Sequence, residues 1–228
     1  MPNPAFTEQK AVTSAVRYVI DSLRSLDRGE DTVLTCITAK EVSEFCKLLG
    51  FKATWARKTV DTICIRSTFG PDVIREEEAT KLLAILKSEF KRGTFKAKEK
   101  EAAYSPNVIN DFLPVRTGKF AGRACLGHLW EFQYALAVEL EHGRTRGTNV
   151  TNNHPLLTAL VVLAHLSEDS LYYARLWVME GEGELFKALQ DDKAPKKIKE
   201  IAEELQTARL YLGRRLAEAA ARSVELPA

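Results

Sequence analysis

Residues 156–166 read LLTALVVLAHL, a run that is apolar on every side of a helix. It is too short to cross a bilayer, which needs about 20 apolar residues. A helix without a polar face must be enclosed by other elements. The chain is therefore expected to build a helical bundle around this segment, and Pro155 suits its first turn, where the missing N–H costs nothing. The preceding segment, 121–142, carries Leu126, Leu129, Leu136 and Leu140 on one stripe and Trp130, Tyr134 and Val138 on another. Two apolar faces predict a helix sandwiched between partners, ended by Gly143. Residues 171–189 continue the bundle. A hinge at 191–195 leads to a long terminal helix over 196–221.

The first part of the chain reads differently. Val12, Val16, Val19 and Leu23 predict an amphipathic helix over 5–26. Residues 38–49 read as a helix with a Thr38/Glu41 capping box and a stop at Gly50. Residues 32–37, 51–57 and 60–68 are rich in Thr, Val, Ile and aromatics and read as strands, the last two joined by a turn at 57–59. A helix over 73–91 follows, with Ala79, Leu82, Leu83, Leu86 and Phe90 inward. The expected fold class is α+β, mainly α: a small N-terminal α+β module (1–92), a basic, Pro-containing linker (93–119) and a C-terminal helical bundle with a long terminal helix (120–228).

Composition narrows the functional classes. With 33 Lys and Arg against 31 Asp and Glu, the net charge of +2 creates no global field that demands nucleic acid or an anionic membrane. Cys36, Cys46, Cys64 and Cys125 are scattered, without a CxxC pair, and read as buried reduced thiols. The N-terminus MPNPAFTEQK does not resemble a secretory leader, so an intracellular setting is expected. No membrane partner is expected.

Two pairs of residues carry potential chemistry. Glu139 and His142 stand three residues apart on one helix, and His165 and Glu168 repeat the spacing in reverse order. A Glu-x-x-His pair is the unit of carboxylate-bridged di-iron sites in helical bundles, and this donor set suits Fe, Mn or Zn. Against that, His142 ends its helix, while His165 lies about 15 Å along the next. The alternative is a core histidine bonded to its neighbours, with His142 capping the last carbonyls of its helix. Lys91, Arg92, Lys96 and Lys98 form a basic strip that reads either as a solvated connector or as phosphate contacts. The Asn-rich loop 148–153 is expected to close turns and cap the next helix. Tyr172, Tyr173 and Arg175 read as packing or as a ligand clamp.

The motifs ELEHG (139–143), TNVTN (148–152), PLLT (155–158), LAHL (163–166), YYARL (172–176) and ME (179–180) resemble a family of small uncharacterised domains from bacteria and large DNA viruses, over about residues 132–180. The resemblance implies no activity. It raises a viral source, with the host cell or the virion as the setting. The chain departs from the family pattern toward apolar residues at Leu160, Leu171, Trp177 and Val178. These must meet something: the N-terminal module, the terminal helix or a second subunit. In the terminal helix, Ile198, Ile201, Leu205 and Leu212 form a narrow seam that either docks on the chain's own bundle or pairs with a second copy.

The reading that follows is a non-enzymatic structural or protein-interaction protein acting as a homodimer, with no resident cofactor. The alternatives are a metal-dependent helical-bundle enzyme using Glu139, His142, His165 and Glu168, and a nucleic-acid-binding protein using the basic strip.

Overall fold

The computed structural model describes residues 4–27, 38–51, 74–91, 128–142, 151 and 153–225. Their order is α1 (Pro4–Asp27), α2 (Ala39–Leu49), α3 (Glu76–Lys91), α4 (His128–His142), α5 (Pro155–Glu168), α6 (Tyr172–Gln190) and α7 (Pro195–Glu225). The chain divides into two compact units, Met1–Ala164 and His165–Ala228.

The α+β expectation is corrected. Every regular element among the described residues is an α-helix, and none is a strand. Of the three segments read as strands, only Phe51 lies within the described residues. There the reason for the difference is visible. Gly50 adopts the left-handed conformation (φ 69°), and its N–H donates to the Lys47 carbonyl at 3.1 Å. The Phe51 N–H reaches back to the Cys46 carbonyl at 2.7 Å. This is a Schellman closure, and Phe51 is the apolar residue that folds under the helix end. Its aromatic side chain is buried by a cap, not by a sheet.

In the first unit, α1 packs on α2 and α3 packs on α4. Val16, Val19 and Ile20 of α1, Val42 and Phe45 of α2, and Leu82, Leu83 and Leu86 of α3 are buried. The α2 start has the expected capping box: Thr38 Oγ1 accepts from the Glu41 N–H, and the Glu41 carboxylate accepts from the Thr38 N–H. At its other end, Lys81 Nζ donates to the Leu49 carbonyl at 2.7 Å and Arg75 to the Gly50 carbonyl at 3.2 Å. These two cations sit where the α2 dipole is negative. Arg75 also pairs with the buried Glu78, whose carboxylate accepts from the Arg75 backbone N–H at the start of α3.

Helix α4 is enclosed as expected. Residues 129–138 and Leu140 are buried all round, and Gln133 donates to the Ile74 carbonyl at 2.8 Å. This bond joins helices on either side of the expected 93–119 linker, whose own residues lie outside the described set. Helix α5 is buried on all faces over Pro155–Leu160, Val162, Leu163 and Leu166.

In the second unit, α6 and α7 form an antiparallel hairpin. Tyr173, Ala174, Trp177 and Ala188 of α6 meet Ile201, Leu205, Ala208 and Tyr211 of α7, all buried. The turn is a second Schellman closure. Asp192 takes the left-handed position (φ 50°), its N–H donates to the Leu189 carbonyl, and the Lys193 N–H donates to the Ala188 carbonyl. Pro195 then opens α7 at its first position.

Candidate interaction surface

Two glycines stand two residues apart in α6, so at 3.6 residues per turn they face nearly opposite sides. Gly181 faces α7. A Cβ there would lie 3.2 Å from Leu205 Cδ1 and 3.7 Å from its Cα, so its absence lets the two helices approach closely. Gly183 faces away, and a Cβ there would meet nothing within 4 Å. Around it the outer face of α6 is apolar: Met179 and Phe186 are each 62% exposed, and Leu189 is 57% exposed. Met179, Gly183 and Phe186 follow an i, i+4, i+7 pattern, which makes one stripe. Glu180 and Lys187 are exposed along its flank. On α7, Leu210 is also exposed, and the outward Gly213 has open space around it.

The residues expected at an interface are distributed differently. Leu160, Leu171, Trp177, Ile201 and Leu205 are buried within the chain, and Val178, Ile198 and Leu212 are half-buried. Trp177, only 4% exposed, packs against Tyr211 of α7 with ring centroids 6.0 Å apart. The terminal helix therefore covers Trp177. Of the α7 seam, Ile201 and Leu205 lie buried in the hairpin, and Ile198 and Leu212 keep part of their surface exposed.

Among the described residues no group of three or more His, Cys, Asp or Glu could hold a metal ion. Glu139 is half-buried and Glu168 is exposed; the side chain of His142 lies outside the described residues. The His165 ring stacks on Tyr172 at 4.5 Å and 7°, with Tyr173 edge-on at 6.2 Å. The two tyrosines thus pack with His165, and Arg175 pairs with Asp169 at 3.0 Å. Lys91 is the last residue of α3; its side chain, together with Arg92, Lys96 and Lys98, lies outside the described residues. No described helix is long and apolar enough to cross a membrane.

A polar centre that sequence reasoning missed lies at the start of α5. Asn153 takes a positive φ of 60°, the His154 N–H donates to the Thr151 carbonyl, and Thr158 Oγ1 bonds Thr151 Oγ1 at 3.2 Å. One turn closes from Thr151 to His154; the rest of the expected 148–153 loop lies outside the described residues. The His154 ring, however, is only 3% exposed and packs on Phe45 of α2 at 4.4 Å. Its Nδ1 has no hydrogen-bond partner among the described residues. Burial lowers its pKa to about 4, against a smaller upward pull from Glu41. The imidazole is therefore neutral at pH 7. The one available signal was its place directly before Pro155, where it must enter the core together with the helix start.

Residues 76–182 match the family model DUF5661, a protein of unknown function. The match contains the resemblance expected over 132–180 and extends it upstream to the first residue of α3. Most of α6, Gly181 included, lies within the DUF5661 segment; Gly183, Phe186 and all of α7 lie beyond it. No curated protein and no solved structure matches the chain.

Proposed function

We propose that this chain is a structural, protein-interaction protein that works as a homo-oligomer, and that the α6–α7 hairpin is its contact element. The reading rests on one observation: the hairpin satisfies its inner face with α7 and still presents Met179, Phe186 and Leu189 outward. Large apolar side chains in a contiguous stripe favour removal from water, at about 25 cal/mol per Å² buried. The surface straddles the end of the family match: Met179 lies within residues 76–182, and Phe186 and Leu189 lie beyond them. Sedimentation equilibrium of the full chain across a wide concentration range tests it. The expected result is a reversible species of twice the 25.5 kDa chain mass. A single monomer mass at every concentration would end the reading.

A further inference from the structure

The geometry points to an antiparallel contact between α6 of one copy and α6 of a second, crossing at Gly183, with Met179 of each packed on Phe186 of the other. This rests on the homo-oligomer reading above and gives it a location and a register.

The argument starts from the two glycines. A glycine inside a helix costs about 0.5–1 kcal/mol relative to alanine, so each needs a reason. Gly181 has one within the chain, the close approach of Leu205. Gly183 has none there, because the space where its Cβ would point is open. A close approach from outside supplies one. The residues around it agree. A two-fold axis at Gly183 pairs positions whose numbers sum to about twice 183, because a two-fold contact sets residue i against j and j against i. Met179 then falls opposite Phe186 within one helical turn, and both are exposed large apolar side chains. The same operation sets Glu180 on the flank of one copy opposite Lys187 of the other, and the two-fold repeats the pair, so that rim of the contact carries two pairs of opposite charge. Apolar pairing, the absent Cβ and charge complementarity therefore share one axis. The outer face of α7 lacks this agreement. It has exposed leucines, Leu210 and Leu216, on either side of the outward Gly213, but Arg209 and Arg214 near them pair with Glu182 and Glu218 of the same chain, so the charge complementarity across the axis is missing there.

The test is sedimentation equilibrium on the full chain and five single or double variants, with circular dichroism to confirm unchanged helix content. Position 186 is exposed in the free chain, so Phe186→Glu leaves folding intact and weakens self-association about thirtyfold or more, as loss of a central apolar anchor does. Lys187→Glu and Glu180→Lys each weaken it by about two- to fivefold, the scale of an exposed ion pair. The double change, Glu180→Lys with Lys187→Glu, restores it. Leu210→Glu leaves it unchanged. Association that survives Phe186→Glu, that breaks with Leu210→Glu instead, or that stays weak in the charge swap overturns the α6 contact while leaving the homo-oligomer reading in place. A chain that is monomeric throughout overturns both.

Discussion

His154 shows how a single residue ties stability to pH. Its ring is enclosed against Phe45, and burial holds its pKa near 4 in the folded chain, against the ordinary 6.5. The unfolded chain therefore takes up the proton first as pH falls. Above pH 6.5 both states are neutral and the group has no effect on stability. Between 6.5 and 4 the folded state is penalised progressively, by about 3 kcal/mol at the lower limit. Urea unfolding at pH 7, 6 and 5 should show this loss, and His154→Leu should flatten it across the same window. Hydrogen bonds from the Thr38 backbone and hydroxyl hold the nearby Glu41 carboxyl below the usual carboxylate value. Asp192 offers a second residue-scale prediction. It occupies a left-handed position that glycine adopts without strain. Asp192→Gly should raise stability by about 0.5–1 kcal/mol, read as a shift in denaturant midpoint at constant slope.

At the scale of elements, much was legible. The Thr38/Glu41 box, the Gly50 stop, the Pro155 start and the two-faced burial of α4 all follow from side-chain chemistry within a turn or two. Misreading began where two physical causes give the same local signal. Phe51 looks like the first residue of a strand, because aromatic residues favour strands, yet the left-handed Gly50 before it turns the chain back onto α2. The α7 stripe reads either as docking on the chain's own bundle or as a seam for a second chain. Its period is equally that of a helix closing a hairpin on its own neighbour, and Trp177 and Tyr211 fill that space. Sequence alone does not separate these cases, because both need the same apolar spacing. It also could not reveal that Gly181 and Gly183 have different reasons to exist. Gly181→Val would force branched carbons into Leu205 and push α6 from α7, at a cost of about 1–3 kcal/mol and a lower thermal midpoint. Gly183→Ala, by contrast, should leave the monomer equally stable or slightly more so, since helix propensity favours alanine.

Across the whole molecule, the distribution of polar side chains was less readable than that of apolar ones. The central buried segment announces itself through an unbroken apolar run. A histidine at its threshold, or a glutamate such as Glu89 of α3 that is buried against Arg17 of α1, gives no such signal, because the residues it packs against lie on another helix. The Glu139/His142 and His165/Glu168 spacings illustrate the converse: regular spacing along a helix makes a motif, and only packing against other helices decides whether it makes a site. The chain has two units, and the second is largely one hairpin whose arms differ in length: α6 has 19 residues and α7 has 31. The Trp177–Tyr211 and Arg215–Ser170 contacts fix how far the shorter arm reaches along the longer. Past Arg215, α7 has no stretch of α6 beside it. Amide protons of that overhang should therefore exchange with deuterium before those between Ile201 and Tyr211, and the longer helix should unzip from its tail toward the turn.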